Sequence, residues 1–258
     1  MSQASDHSSP SLLSGQVALV TGAGTGLGRQ FALTLAEAGA TVVVAARRRE
    51  KLDELVREIA ARGGTAHAIV LDVRDPRSIE RTIEEATSMA GLPDILVNNA
   101  GVPDAKRAHR MPLELVDQVI ETNLRGPWLL ATGLAARWIE AGVRGRVVNI
   151  GSMSGQHYTG EGAALYSVTK AAVHRMSEVL AVEWARHGIN VNAIAPGAFA
   201  SEMMDGMLER MGDISEAFPR RRLGRPEQLA STLLYLVSPA SQAVTGAVIS
   251  VDDGQTHR

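Results

Sequence analysis

A phenol and an ammonium group stand four positions apart in the segment around Tyr166. Tyr166 and Lys170 begin a stretch whose apolar residues recur at helical spacing, so one helix would place both side chains on the same face. A tyrosine phenol has a free pKa near ~10, and a nearby cation favours its ionised form. The pair therefore predicts proton transfer at an oxygen atom whose carbon gains or loses hydride. The same spacing also occurs at ordinary helix starts, so the prediction depends on the rest of the chain.

Glycines cluster directly after the first apolar run. Gly22, Gly26 and Gly28, with an additional Gly24, follow residues 17–20, and a helical pattern then continues to Gly39. Backbone N–H groups at the start of such a helix attract anions, which favours a dinucleotide pyrophosphate over a simple chain reversal. Position 27 is leucine, so the common G-x-G-x-x-G spacing is absent.

The end of the second apolar run bears on which dinucleotide fits. It reads Ala45-Ala46-Arg47-Arg48, with no carboxylate before Glu50. An acidic residue here would bind the ribose 2′-hydroxyl of NAD, whereas Arg47 can meet a 2′-phosphate as a bidentate donor. We therefore predict NADP(H) in preference to NAD(H). The alternative is that Arg47 and Arg48 only begin the next helix in solvent, which leaves NAD usable.

Short apolar runs alternate with helical patterns along the whole chain. Strands are predicted at residues 17–20, 41–45, 66–70, 95–97, 147–150, 189–195 and 247–251. Helices are predicted at residues 49–62, 76–90, 113–139 and 226–236 and from Tyr166 onward, and residues 198–223 form a Met-rich stretch of weak periodicity. This alternation predicts one domain with a parallel sheet covered on both faces. The domain is expected at residues 15–258, after a disordered tail at residues 1–14.

Composition narrows the classes of function. The net charge of -2 produces no basic field, so no nucleic acid partner is expected. The absence of cysteine excludes disulfides, thiolate catalysis and cysteine-based metal sites, and no metal site is predicted. No apolar run approaches the ~18 residues of a membrane span, and residues 1–14 lack the pattern of a signal peptide. We expect a cytoplasmic location and no membrane partner.

Several short motifs resemble those of the short-chain dehydrogenase/reductase family when they are taken in order. They are Thr21-Gly22-x-x-x-Gly26-x-Gly28, Asn98-Asn99-Ala100-Gly101, Thr122-Asn123-Leu124, Gly151-Ser152, Tyr166-x-x-x-Lys170 and Pro196-Gly197. The resemblance covers residues 14–254. It implies a single-domain α/β fold of Rossmann type, a doubly wound, parallel, seven-stranded sheet with helices on both faces. It also implies an NAD(P)-dependent oxidoreductase that moves hydride between a nicotinamide and a ketone or secondary alcohol.

By this resemblance, four residues would carry the chemistry. Tyr166 would be the general acid in reduction and the base in oxidation, and Lys170 would lower its pKa and bind the nicotinamide ribose. Ser152 would orient the substrate oxygen, with Ser154 as the nearby competitor. Asn123 would anchor a water in a proton relay, or would only form hydrogen bonds within its helix. The implied cofactor contacts are Gly22, Thr25, Gly26, Leu27, Gly28, Arg47, Asp72, Val73, Asn99, Ala100, Gly101, Tyr166, Lys170, Pro196, Gly197 and Ser201.

The sequence leaves the substrate open. Its contacts would come from the loop after Ser152 and from the stretch after Pro196, namely Gln156, His157, Tyr158 and Glu161 with Phe199, Met203, Met204 and Met207. Because methionine adapts to irregular apolar shapes, these residues suit a partly apolar ketone or a 3-oxoacyl thioester on an acyl carrier protein, or they serve core packing instead. The alternative within enzymes is an NAD-dependent dehydrogenase of sugar acids or small alcohols.

Two further expectations concern assembly and class. By resemblance, helix 113–139 and the Tyr166 helix would pack against copies of themselves in a homotetramer, a dimer of dimers. The rival from another class is a non-catalytic dinucleotide-binding sensor or scaffold. Asn123, Ser152, Tyr166 and Lys170 are all present, which favours an enzyme.

Overall fold

One parallel sheet organises the molecule, which is known from a computed structural model that describes residues 11–158, 160 and 162–256. Its seven strands follow the order β3-β2-β1-β4-β5-β6-β7. The strands are β1 Val17–Thr21, β2 Thr41–Ala46, β3 Thr65–Val70, β4 Ile95–Asn98, β5 Arg146–Ile150, β6 Asn190–Pro196 and β7 Val248–Val251. The α-helices are α1 Gly26–Glu37, α2 Arg49–Ala61, α3 Pro76–Ala90, α4 Leu113–Ile120, α5 Gly126–Ala141, α6 Ala164–Trp184, α7 Glu202–Met211 and α8 Ala230–Val237. The predicted fold class and seven-stranded parallel sheet are confirmed.

Both faces of the sheet are covered. In β1, Ala18 and Val20 pack in one core layer with residues of α1, α2 and α8, whereas Val17 and Leu19 pack in the other layer with residues of α3, α5 and α6. This division follows from the alternation of side chains along a strand. It explains why the strands read as continuous apolar runs.

The strand order reverses between β1 and β4, which is where an open α/β sheet forms a crevice at its carboxyl edge. β1 pairs with β2 on one side and with β4 on the other, so the connections after β1 and β4 leave in opposite directions. The glycine turn after β1 and the Asn99 turn after β4 therefore meet at one place.

Two boundaries differ from the sequence-based expectation. Residues 1–10 of the predicted tail lie outside the described residues, but Leu13 is buried in the core and its N–H donates to Ala38 O at 2.8 Å. The ordered domain therefore begins before residue 15, because the apolar side chain of Leu13 packs in the same core layer as residues of α1. The predicted helix 226–236 begins as a 3₁₀ turn, Pro226–Leu229, before α8.

Two helical segments also depart from the prediction. The helix predicted at 113–139 consists of α4, a π-helical turn at Glu121–Arg125 and α5. The stretch predicted to have weak periodicity contains α7, capped by the Ser201 hydroxyl, which accepts the N–H of Met204 at 3.2 Å. No helix within the described part of the chain has the length and apolar content to cross a bilayer.

Candidate active site

A cavity of about 1120 Å³ opens at the carboxyl edge of the sheet. It extends from the glycine turn after β1 to the first turn of α6. It brings together most of the residues that the sequence predicted for the site. These are Gly22, Thr25, Gly26, Leu27, Arg47, Asp72, Val73, Asn99, Ala100, Gly101, Ser152, Tyr166, Lys170, Pro196, Gly197 and Ser201. Gly28 and Asn123 lie behind this wall rather than on it.

The glycine turn has the geometry of an anion site. Gly22 and Gly26 have φ angles of +64° and +54°, a backbone conformation that residues with a side chain rarely adopt. Thr25 is the N-cap of α1, but its side chain makes no capping hydrogen bond and so does not satisfy the N–H groups of the first turn. Such N–H groups at the positive end of a helix suit a pyrophosphate, and the turn therefore fits a dinucleotide.

The turns after β1 and β4 are hydrogen-bonded to each other. The Thr21 hydroxyl accepts the N–H groups of Asn99 at 3.0 Å and Ala100 at 3.1 Å, and Asn99 Nδ2 donates to the carbonyls of Thr21 at 3.0 Å and Gly22 at 3.2 Å. A methyl group at Gly28 would overlap both Asn99 Nδ2 and Gly22 O. Thr21 therefore holds the two turns together, and the absence of a side chain at Gly28 allows them to approach closely. Sequence reasoning missed Thr21 as a site residue although it opens the glycine motif.

Tyr166 reaches the cavity from the first turn of α6, where its hydroxyl forms a hydrogen bond with Ser152. Burial raises the pKa of the phenol, the hydrogen bond with Ser152 lowers it, and the charge of Asp104 raises it. The net direction is upward. The residue is partly exposed to the cavity, yet its surroundings desolvate the phenol enough for burial to dominate.

Lys170 is buried one helical turn after Tyr166, and a backbone carbonyl holds its ammonium group. Its Nζ donates to Ile150 O at 2.7 Å and lies 5.5 Å from the centroid of the Tyr166 ring. Burial lowers the pKa of Lys170 to about 8. The causes that set the pKa of Tyr166 here are burial, the hydrogen bond with Ser152 and the charge of Asp104, and a lowering by Lys170 stays a prediction.

The side-chain amide of Asn123 is occupied by protein partners. Oδ1 accepts the N–H of Val102 at 2.8 Å, and Nδ2 donates to Val102 O at 2.9 Å and to Thr169 Oγ1 at 3.3 Å. Asn123 lies in the π-helical turn before Pro127. Because Pro127 has no N–H, the carbonyl of Asn123, four residues earlier, has no α-helical donor.

His174 supports the loop that carries Ser152. It is buried one turn after Lys170 on α6, and its Nε2 accepts the N–H of Ser152 at 3.4 Å. Side chains at Gly151 or Gly155 would overlap its ring. Burial, followed by the charge of Lys170, lowers the pKa of His174, so the imidazole is held neutral. The i+4 spacing from Lys170 was the signal that sequence reasoning did not use.

Arginines and carboxylates pair at the other end of the cavity. Arg48 binds Glu202 of α7 at 2.8 Å, and Glu202 also accepts the Thr25 hydroxyl at 3.2 Å. Asp72 pairs with Arg74 at 2.8 Å, and hydrogen bonding to Arg74 lowers the pKa of Asp72. Arg47 lines the cavity and forms no ion pair within the described residues. Its charge is therefore the least neutralised of these arginines.

The substrate side of the cavity is mainly apolar. Of the predicted contacts, His157, Tyr158, Phe199, Met203, Met204 and Met207 line it, together with Arg210, Ile214 and Phe218. Gln156 does not line it and instead accepts the Ser250 hydroxyl at 3.0 Å. Glu161 lies outside the described residues. The wall therefore combines an apolar surface with one cation, Arg210, at the end of α7.

Comparisons with known proteins agree with this geometry. A family model described as enoyl-(acyl carrier protein) reductase matches residues 22–256. The 3-oxoacyl-[acyl-carrier-protein] reductase of Thermotoga maritima is 36% identical, covering 94% of this chain and 98% of the relative. Galactitol 2-dehydrogenase of Cereibacter sphaeroides is also 36% identical, covering 95% of this chain and 96% of the relative.

Solved structures share the whole fold. A short-chain dehydrogenase/reductase from Mycobacterium marinum is 38% identical with a TM-score of 0.92, covering 95% of this chain and 97% of that one. A variant of actinorhodin polyketide ketoreductase with NADPH is 33% identical, with a TM-score of 0.90 and coverage of 94% and 98%. The 3-ketoacyl-(acyl-carrier-protein) reductase of Brucella melitensis with NADH is 30% identical, with a TM-score of 0.88 and coverage of 95% and 100%.

These relatives are named reductases and dehydrogenases that act on carbonyl or hydroxyl carbons. Of the similar solved structures, one contains NADPH and another contains NADH. The prediction of an enzyme is confirmed, and the sensor or scaffold alternative is set aside. A nicotinamide cofactor is likewise supported. The glycine turn, the shared cavity and the match over nearly the full chain lead to one conclusion: this chain is an oxidoreductase that belongs to the short-chain dehydrogenase/reductase family.

Proposed function

We propose that the protein transfers hydride between NADPH and a ketone, or between a secondary alcohol and NADP⁺, with Tyr166 exchanging the proton. One observation supports this above the others. The Tyr166 phenol, hydrogen-bonded to Ser152 and adjacent to Lys170, lies in the same cavity as the glycine turn. A bound dinucleotide could therefore reach the phenol from the turn. When bound, the cofactor supplies or accepts the hydride.

Proton transfer in this proposal belongs to Tyr166 and Ser152. In reduction the Tyr166 hydroxyl gives its proton to the carbonyl oxygen, while the Ser152 hydroxyl donates a hydrogen bond to the same oxygen. A tyrosine of ordinary or raised pKa is protonated at neutral pH, so the phenol carries the proton that it gives. Ser154 also lines the cavity, but the hydrogen bond to Tyr166 comes from Ser152, which supports Ser152 as the orienting residue.

Lys170 would act on the product of that step. With a pKa of about 8, it is largely protonated at pH 7, and its charge stabilises the phenolate that remains after proton transfer. The backbone carbonyl of Asn123 would hold the water that resupplies the proton, because Pro127 leaves it without an α-helical donor. In this proposal the side chain of Asn123 positions Val102 and Thr169 rather than the water.

The substrate panel tests the reaction directly. NADPH oxidation would be followed with 3-oxoacyl thioesters, sugar acids and cyclic ketones, for wild type and for Tyr166→Phe. We expect turnover with at least one class and a loss of ~10²-fold or more in kcat for Tyr166→Phe. Tyr235→Phe is the matched control, since Tyr235 is an exposed tyrosine on α8 outside the cavity. Equal turnover by Tyr166→Phe and wild type would remove the assignment.

The preference for NADPH is also part of the proposal. Arg47 is exposed at the cavity and unpaired within the described residues, whereas the neighbouring carboxylates Asp72 and Glu202 are paired with Arg74 and Arg48. A 2′-phosphate would therefore meet a free guanidinium rather than a free carboxylate.

Cofactor titrations test this preference. We expect NADPH to bind wild type more tightly than NADH, and Arg47→Ala to weaken NADPH binding ~10-fold while changing NADH binding little. Arg49→Ala is the matched control, because Arg49 pairs with Asp53 at 2.8 Å and does not line the cavity. Tighter binding of NADH to wild type would show that the Arg47 argument is wrong.

The apolar wall favours a partly apolar carbonyl substrate, such as a 3-oxoacyl thioester. Met203, Met204 and Met207 can follow the shape of an acyl chain. Arg210 supports a second candidate, a sugar acid, because it forms no ion pair within the part of the chain that the structure describes. The panel separates the two: Arg210→Ala should reduce kcat/KM for a sugar acid far more than for a neutral cyclic ketone.

We also propose the homotetramer. The outer faces of α5 and α6 expose large apolar side chains, with Val168 64% and Val182 79% exposed and Trp128 and Ile139 partly exposed. Burying such faces against copies of themselves would stabilise a two-fold assembly. Val182→Glu should dissociate it in light-scattering measurements, while Val70→Glu on the edge strand β3 should not. A cytoplasmic location stays a prediction.

A further inference from the structure

A buried carboxylate outside the predicted site begins the helix that carries Tyr166. Asp104 is 3% exposed and follows Gly101 by three residues. Its Oδ2 accepts the N–H of Leu165 at 2.9 Å and the N–H of Tyr166 at 3.0 Å. The N-cap residue of α6, Ala163, has no side-chain capping group. Asp104 therefore replaces the missing cap from a segment 62 positions earlier in the chain.

The loop around Asp104 is fixed against the start of α6 at further points. Lys106 pairs with Ala163 in an isolated parallel bridge, and Arg107 Nη1 donates to Gly160 O at 2.8 Å. Ala105 has a φ angle of +46°, which is strained for a residue with a side chain and persists only where its surroundings enforce it. The carboxylate is therefore held in place rather than free to turn away.

The second carboxylate oxygen of Asp104 is not used in capping α6. Oδ1 is buried and has no hydrogen-bond partner among the described residues. Water and salt screen a buried charge less than an exposed one, so the carboxylate can act on neighbouring groups. Titratable or charged groups surround the phenol from three elements. Asp104 comes from the loop after β4, Lys170 and His174 come from α6, and His157 and Tyr158 come from the cavity wall.

We propose that Asp104 is a positioning residue with an electrostatic role: it fixes the first turn of α6 and places a buried carboxylate beside the residue that exchanges the proton. This rests on the proposed function, in which Tyr166 exchanges the proton. Reduction needs the phenol and oxidation needs the phenolate, so a nearby negative charge moves the alkaline limb of reduction and the acid limb of oxidation to higher pH. The direction in which Asp104 moves the pKa of Tyr166 agrees with this role.

Asp104→Asn separates the charge from the cap. The amide keeps one oxygen for the two N–H groups, and its NH₂ group takes the position of the unpartnered Oδ1. We expect the alkaline limb of kcat/KM for reduction to move ~1 pH unit lower, and oxidation to extend ~1 pH unit further toward acid. A residue with only a structural role would lower activity at every pH and leave both midpoints unchanged, which would overturn the proposal.

A titration without catalysis keeps this inference distinct from the proposed function. The chain has three tyrosines, so the near-ultraviolet absorbance of the Tyr166 phenolate can be isolated by subtracting the Tyr166→Phe spectrum. The phenol should ionise at lower pH in Asp104→Asn, and in Asp104→Ser if the amide variant does not fold, because serine also caps helices. If no carbonyl compound is turned over but this midpoint moves, the proposed function fails and the role of Asp104 stands.

The matched control is Asp94→Asn. Asp94 is also a carboxylate that accepts a backbone N–H, that of Val17 at 2.8 Å, but it precedes β4 and so lies at the opposite edge of the sheet from Tyr166. We expect no change in the phenol midpoint in this variant. Equal midpoints in wild type, Asp94→Asn and Asp104→Asn would overturn the proposal.

Discussion

Replacing Lys170 with methionine should change the stability of the protein in a way that reverses with pH. Lys170 is a buried ammonium whose pKa falls from 10.5 to about 8 on folding because burial disfavours the charged form. Below pH 8 both the folded and the unfolded chain carry the proton, and the folded state is destabilised by the desolvated charge. Between about pH 8 and 10.5 the unfolded chain binds a proton that the folded chain has lost, so stability rises with pH.

The magnitude follows from the two pKa values. At ~1.4 kcal/mol per pKa unit, the desolvated charge of Lys170 costs the folded state about 3 kcal/mol at pH 7. Methionine removes that cost but leaves Ile150 O without the donor now 2.7 Å away, a loss of ~1–3 kcal/mol. Lys170→Met should therefore be ~1 kcal/mol more stable than wild type at pH 7 and ~1–3 kcal/mol less stable once the wild-type amine is neutral.

Urea unfolding of the cofactor-free protein at about pH 7 and about pH 10 measures this difference by linear extrapolation. Lys51→Met is the control, because Lys51 is an exposed lysine paired with Glu54 and its removal should have a small effect at both pH values. Activity of Lys170→Met should be low throughout. A difference in unfolding free energy between Lys170→Met and wild type that stays constant within ~0.5 kcal/mol across this range would refute the reasoning.

Two further predictions concern the backbone around the site. Gly28→Ala should destabilise the fold by ~1–3 kcal/mol in urea, because the added methyl group overlaps the carbonyl of Gly22, whereas Gly24→Ala in the same turn meets no atom closer than 3.4 Å and should be tolerated. Pro127→Ala supplies an N–H that can bind the carbonyl of Asn123, so stability should be equal or higher while kcat falls ~10-fold. Undiminished kcat in Pro127→Ala would show that this carbonyl takes no part in proton supply.

Local patterns were sufficient for the element order. Helix α3 has the predicted limits, because Pro76 suits the first helical position and the Asp75 side chain caps the N–H of Arg77 at 2.9 Å. Buried parallel strands read as apolar runs, so all seven were found. The π-helical turn was missed because apolar periodicity continues through it, although Pro127 marks the donor that is absent there.

The parts of the site that the sequence did not predict depend on residues far apart in the chain. Asp104 caps Tyr166 across 62 positions, and Arg48 binds Glu202 across 154. Neither pair has a local signature, since each forms only after strand order brings the loops together. The pKa of Tyr166 also depends on distant contacts: the spacing to Lys170 is visible in the sequence, but the burial of the phenol and the charge of Asp104 are not.

The central claim is that Tyr166 exchanges a proton beside a nicotinamide held by the glycine turn. A crystal structure with NADP⁺ and a secondary alcohol tests it most directly. The account predicts the pyrophosphate at the Gly22–Gly28 turn, the alcohol oxygen within hydrogen-bond reach of Tyr166 Oη and Ser152 Oγ, and its carbon ~3–3.5 Å from the nicotinamide C4 atom. A nicotinamide bound away from Tyr166, or a phenol turned out of the cavity, would contradict it.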